Sequence, residues 1–102
     1  PDLADVHQDH ATVATEGLRA FKFASILSYE LPWNNLSFTT SSFVHLDETH
    51  VQTKVNALKE YQSQAHRPYS DEDFLRSVAR TRGVQIGTKY AEAFNIVRWI
   101  ID

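Results

Sequence analysis

Residues 90–101 read YAEAFNIVRWII, a run dominated by aromatic, β-branched and other apolar side chains. Such side chains are enriched in strands, so this run predicts the last strand of the chain. Its apolar side chains are those of Phe94, Ile96, Val97, Trp99 and Ile100. Because successive side chains of a strand point to opposite faces, Tyr90 and Glu92 are expected on one side, near Phe94. The two are candidates for substrate contact, and packing is an equally good interpretation.

Two shorter segments before this run also favour strands. Residues 25–31 read SILSYEL and stop at Pro32, and residues 42–46 read SFVHL. Proline cannot donate to a strand ladder, which explains the stop. The loop between the two segments carries Trp33 and Phe38, aromatic side chains that indicate packing or a ligand wall. The sequence does not decide whether Trp33 lines a sugar site or anchors the core.

Three segments favour helices. The first covers residues 8–21, where Gly17 weakens the helix by up to about 1 kcal/mol relative to alanine and hints at a close neighbour. Asp47 is a good cap for a second helix that runs to about residue 64. Residues 70–73 (SDED) resemble a capping box that opens a third helix, which is expected to end near Gly83.

Strands that alternate with helices predict an α/β fold, with three helices packed on a small, mostly parallel sheet. A sheet of this kind usually has more strands. The chain also contains no methionine, so Pro1 is not a translation start. We therefore expect residues 1–102 to be the C-terminal portion of a larger domain, with an exposed sheet edge through which a homo-oligomer can form.

Composition excludes several classes of protein. Of the 102 residues, 42% are hydrophobic, which suffices for a core. The net charge is −3 and the basic residues are scattered, which argues against nucleic-acid binding. The absence of cysteine excludes disulfides and thiolate chemistry. No apolar run approaches the roughly 20 residues that span a bilayer, and no signal-peptide pattern opens the chain. We expect no membrane span and a cytoplasmic location.

The segment DVHQDH at residues 5–10 contains the residues best suited to chemistry. Neutral imidazole is a favoured zinc ligand, so His7 or His10 can bind a metal. Positions three apart share a helix face, which directs both rings to one site. Asp9 can accept a hydrogen bond from a histidine ring and fix its tautomer. The alternative is a non-catalytic α/β interaction domain in which the same residues only cap a helix.

The other candidate residues favour structural roles. His45, His50 and His66 lack ligand spacing to one another, and we expect no catalytic role for them. Arg80 and Arg82 fit a phosphate group, but arginines in the last turn of a helix also complement its dipole. A third possibility for the chain is a metal-binding module that recruits zinc between chains.

Three stretches in the same order resemble the PIG-L/LmbE family of zinc-dependent N-acetylglucosamine deacetylases. Residues 5–10 resemble its His-x-Asp-His motif, and residues 58–64 (LKEYQSQ) resemble a family helix that ends in Tyr-x-Ser-Gln. Residues 82–83 (RG) followed by 87–94 (GTKYAEAF) resemble its signature Arg-Gly…Gly-x-x-Tyr-Ala-Glu-x-Phe. Each motif alone is weak or moderate, and the ordered set is specific.

The resemblance implies a Rossmann-like hydrolase that removes acetyl from an N-acetylglucosamine unit. It implies that His10 is a zinc ligand, that His7 is the general acid and oxyanion stabiliser, and that Asp9 orients His7. The remaining ligands and the general base of the family come from an Ala-His-Pro-Asp-Asp-Glu-type motif, which does not occur in these 102 residues. We therefore expect the isolated chain neither to hold zinc tightly nor to catalyse.

Overall fold

A computed structural model describes residues 1–61 and 71–102 of the chain. The described residues form three helices and three strands, in agreement with the predicted α/β class. In chain order these are α1 (Gln8–Ala20), β1 (Ile26–Tyr29), β2 (Ser42–Leu46), α2 (Glu48–Lys59), α3 (Glu72–Gln85) and β3 (Tyr90–Arg98). None of the helices in this described part is long and apolar enough to cross a membrane.

The three strands form one small antiparallel sheet in the order β1-β3-β2. Leu27 of β1 faces Ile96 of β3, and the register shifts between Ile26 and Leu27. The prediction of a mostly parallel sheet is therefore wrong, and the Rossmann-like layout is not supported. A parallel pair needs a crossover connection, usually a single helix. Here no helix lies between β1 and β2, and among the described residues two helices, α2 and α3, lie between β2 and β3.

The predicted element boundaries agree with the structure to within a few residues. The prediction for β2 is confirmed, whereas β3 ends at Arg98 and β1 is shorter at both ends than expected. The second helix ends at Lys59, earlier than predicted. The last predicted residues of that helix, 62–64, lie outside the described residues. Ser70 of the predicted capping box also lies outside the described residues. The N-cap of α3 is Asp71, whose side chain makes no capping hydrogen bond.

The first of two compact units consists of Pro1–Ser42 and Ala93–Asp102. Asp2 is buried at 3% exposure and accepts hydrogen bonds from the Ser28 hydroxyl and from Asn95 Nδ2. Burial raises the pKa of Asp2, but these hydrogen bonds and those from the backbone N–H groups of Leu3 and Ala4 together outweigh burial and hold the pKa below its usual value. The Arg98 guanidinium donates to the carbonyl of Phe21 (2.8 Å), which satisfies an acceptor at the end of α1.

The second unit is Phe43–Glu92. Its core contains Val51, Ala79 and Tyr90, with Leu46 packed against them. Helix α3 approaches β3 closely at Gly83, where an added Cβ would lie 2.4 Å from the Lys89 carbonyl oxygen. The predicted close neighbour was thus assigned to the wrong glycine, because a Cβ at Gly17 would meet no atom of the structure within 4 Å.

Candidate functional site

The candidate site begins with a turn that buries Asp5. The backbone N–H of Asp5 donates to the carbonyl of Asp2 (3.1 Å), and that of Val6 donates to the carbonyl of Asn34 (2.9 Å). An isolated antiparallel bridge also pairs Asp5 with Asn35. These contacts hold the turn against the loop that follows β1. As a result, the side chain of Asp5 has no exposed surface.

His7 is the N-cap of α1. Its backbone is extended, and its Nδ1 accepts a hydrogen bond from the backbone N–H of Asp9 (3.2 Å). Its own backbone N–H donates to Oδ1 of Asp5 (2.8 Å). A backbone N–H can only donate, so Nδ1 of His7 is the acceptor and the ring proton lies on Nε2. His7 therefore caps α1, as the alternative interpretation of this motif predicts.

His10 is paired with the buried carboxylate of Asp5. Its Nδ1 lies 3.0 Å from Oδ2 of Asp5, and 34% of the His10 side chain is exposed. Because a carboxylate only accepts hydrogen bonds, Nδ1 of His10 carries the proton. In the neutral ring, the lone pair is then on Nε2. Histidines that bind metals or act as bases in enzymes commonly have this arrangement.

The two imidazoles lie against each other. Their ring centroids are 4.4 Å apart and their planes differ by 27°. The N-cap position of His7 and the first-turn position of His10 produce this stacking, since residues three apart share a helix face. The structure therefore brings together His7, as a donor through Nε2, and His10, as an acceptor or ligand through Nε2. We refer to Asp5, His7 and His10 as the histidine cluster.

The other predicted site residues make contacts of their own. The group of Asp9 that contacts His7 is its backbone N–H, and Asp9 itself is exposed. Trp33 is 42% exposed and precedes Asn34, whose carbonyl binds the turn that leads into the histidine cluster. Tyr90 and Glu92 belong to the second unit. The Tyr90 hydroxyl contacts Arg76 (3.3 Å), and Glu92 forms an ion pair with Lys54 (2.7 Å).

Four of the residues for which no catalytic role was expected lie in the described part of the chain. His50 belongs to the capping box that opens α2, and His45 is an exposed residue of β2. Arg80 donates to the carbonyls of Thr88 (3.2 Å) and Lys89 (2.8 Å). Arg82 donates to Gln85 (3.1 Å). His66 lies outside the described residues.

Within residues 1–61 and 71–102, no group of three or more histidine, cysteine, aspartate or glutamate side chains is arranged to hold a metal ion. In the histidine cluster, only His10 has an imidazole lone pair that is free to bind a metal.

No protein-family model, curated protein or solved structure matches the chain. The function must therefore be inferred from the site and from the sequence motifs.

Sequence reasoning missed the part played by Asp5. It assigned the orienting carboxylate to Asp9, which lies between the histidines in the sequence. A local signal for Asp5 does exist, because an aspartate two residues before a turn or helix start often accepts the backbone N–H at that spacing. The bond to the His10 ring carries no such signal, because it depends on the burial of Asp5 beneath a loop about 30 residues away in the chain.

Proposed function

We propose that this chain is part of a metal-dependent hydrolase that removes acetyl from an N-acetylglucosamine-containing substrate. The observation that carries the proposal is the histidine cluster: two stacked imidazoles, one of them paired with a fully buried carboxylate. The ordered PIG-L/LmbE-like motifs supply the reaction class. Within this proposal, residues 1–102 are the C-terminal portion of a deacetylase domain.

The fit of zinc to the cluster is partial. His10 suits zinc because its Nδ1 is occupied by Asp5, so Nε2 is free to bind the ion. The remaining ligands would come from an Ala-His-Pro-Asp-Asp-Glu-type motif outside these 102 residues. When bound, zinc supplies a nucleophilic water at neutral pH and polarises the amide carbonyl.

His7 would stabilise the negative charge that develops on the acetamide oxygen. Its Nε2–H is a hydrogen-bond donor, because Nδ1 accepts from the backbone of Asp9. Donors fixed before the reaction are effective at this task, since they need no reorganisation as charge develops. To protonate the leaving amine as well, His7 would have to gain a proton on Nδ1 and lose the bond to Asp9. The geometry therefore favours the oxyanion role of His7 over the general-acid role.

The non-catalytic alternative, an interaction domain with a helix cap, accounts for only part of the cluster. Capping explains His7, whose Nδ1 binds the backbone of α1. It does not explain why the carboxylate of Asp5 is fully buried against the His10 ring, because His10 makes no capping bond in the described structure. Burying a carboxylate is costly unless it is paired. A pair of this kind, in a His10 side chain that is 34% exposed and has its lone pair on Nε2, fits a ligand or base better than a cap.

Release of acetate tests the proposal. The complete gene product, loaded with zinc, is incubated with N-acetylglucosamine conjugates of different aglycones: a glycolipid, a thiol-precursor glycoside, an oligosaccharide and a nucleotide sugar. We expect at least one to yield acetate and the free amino sugar. His10→Ala should lower the rate by more than the roughly 10–100-fold that loss of an outer-shell partner costs, because it removes a ligand.

His45→Ala is the matched control, since it removes an exposed histidine in the other unit. Its rate should equal that of the wild type. Circular dichroism must show that both variants are folded. Equal acetate release by the His10→Ala and His45→Ala proteins would eliminate the proposed role of His10, and no release from any conjugate would favour the interaction domain.

A further inference from the structure

We propose that Asp5, not Asp9, is the positioning residue of the site, and that it holds His10 in the tautomer that leaves Nε2 open to the metal. The consequence for zinc rests on the proposed function; the tautomer itself does not. The juxtaposition that carries the inference is a carboxylate without exposed surface, bonded through one oxygen to the His10 ring and through the other to the backbone of His7.

Each oxygen of Asp5 has a separate function. Oδ1 accepts the backbone N–H of His7 at 2.8 Å, which fixes the chain where α1 begins. Oδ2 accepts from Nδ1 of His10 at 3.0 Å, which fixes the orientation of that ring and the position of its proton. Asp5 is itself held by the bridge to Asn35 and by the bond from its N–H to Asp2. The cluster therefore has a rigid base.

Asp9 lacks the properties of such a residue. It is exposed, and it contacts His7 through its backbone N–H, which every residue type except proline would provide. Replacing the Asp9 carboxylate by an amide leaves this N–H in place. Asp9→Asn is thus a close control for a substitution at Asp5, because both exchanges turn a carboxylate into an amide of nearly the same shape.

The exchange Asp5→Asn should reverse the tautomer of His10. An asparagine side chain has one acceptor oxygen and one NH2 donor. The N–H of His7 can only donate, so it takes the oxygen, and the NH2 group then faces Nδ1 of His10. Nδ1 must accept, and the ring proton moves to Nε2. A metal can then bind at Nε2 only if the ring returns to the tautomer with its proton on Nδ1 and loses the hydrogen bond from the NH2 group.

Long-range ¹H–¹⁵N correlation spectra of the 102-residue chain, labelled with ¹⁵N-histidine, distinguish these states. In a neutral imidazole, the protonated nitrogen and the bare nitrogen have well-separated ¹⁵N shifts. We expect His10 to carry its proton on Nδ1 in the wild type and in Asp9→Asn, and on Nε2 in Asp5→Asn. His7 should carry its proton on Nε2 in all three proteins. In the complete gene product, Asp5→Asn should also weaken zinc binding about 10–100-fold.

A wild-type His10 with its proton on Nε2 would overturn the inference, and this result does not require that any variant folds. An unchanged tautomer in a folded Asp5→Asn protein would overturn it as well. The proposed function fails separately: the expected tautomers in a protein that releases no acetate would leave the role of Asp5 toward His10 intact and remove only the deacetylase.

Discussion

The close approach of α3 to β3 predicts that Gly83→Ala destabilises the fold. The substitution adds a single methyl group in the last turns of α3. That methyl carbon would lie 2.4 Å from the Lys89 carbonyl oxygen, 2.5 Å from its carbonyl carbon and 2.7 Å from the Tyr90 nitrogen. All three are backbone atoms, so no side chain can rotate away. Alanine fits only if the backbone moves.

The required movement is about 1 Å, the difference between 2.4 Å and an ordinary contact of 3.4 Å. Several contacts resist it. Arg80 binds the Lys89 carbonyl (2.8 Å), the Thr88 N–H binds the Gly83 carbonyl (2.9 Å), and Tyr90 is part of the core. Overpacking of this kind costs about 1–3 kcal/mol of stability. Because the contacting atoms belong to the backbone, we expect a cost at the upper end, about 3 kcal/mol. Alanine regains about 1 kcal/mol of helix propensity. The net loss is about 2 kcal/mol.

Urea denaturation followed by circular dichroism measures this loss. With a slope of about 1–3 kcal/mol per molar urea, 2 kcal/mol lowers the midpoint by about 1 M. Gly17→Ala is the matched control, because a Cβ there meets no atom of the structure within 4 Å. It should raise stability by about 0.5–1 kcal/mol. Shifts of the same sign for both variants would refute the close approach of α3 to β3.

Three further predictions follow from the described contacts. Isothermal titration of the 102-residue chain with zinc should show no tight binding, because the histidine cluster supplies a single free imidazole lone pair; tight binding at a defined stoichiometry would contradict this. Hydrogen bonds from Arg76 hold the pKa of both Glu48 and Glu72 below the ordinary 4.5. These carboxylates therefore stabilise the fold above about pH 4.5. That stabilisation is lost as the pH falls through their lowered pKa values. Arg76→Gln should thus flatten the acid dependence of stability between pH 6 and 3 in urea titrations, and a slope equal to that of the wild type would exclude the effect. Finally, β1 is an edge strand with Leu27 and Tyr29 more than 40% exposed, so we expect the isolated chain to self-associate there; a strictly monomeric species in light scattering at high concentration would count against it.

Local features of the fold were accessible from the sequence. The β-rich run at residues 90–101 and the segment SFVHL at residues 42–46 predict strands that the structure contains, with β3 ending at Arg98. The stacking of His7 and His10 also follows from a local rule, because it needs only the spacing of three residues at a helix start. Signals of this kind depend on neighbours in the chain.

Non-local features were not accessible. The position of β3 between β1 and β2 depends on pairings between distant segments, and alternation of helices and strands does not reveal it. Likewise, nothing near Gly83 in the sequence shows that the backbone of Lys89 approaches it. Helix propensity alone points to Gly17, because a glycine in the middle of a helix is unfavourable. The pairing of Asp5 with His10 belongs to the same group, because the loop at Asn34 and Asn35 buries the carboxylate.

The most direct test of the central claim is the amount of zinc that the complete gene product retains. After exhaustive dialysis, elemental analysis should give about one zinc per chain for the wild type and for His45→Ala, and much less than one for a folded His10→Ala protein. Equal zinc in all three proteins, or none in the wild type, would contradict the assignment of His10 as a ligand.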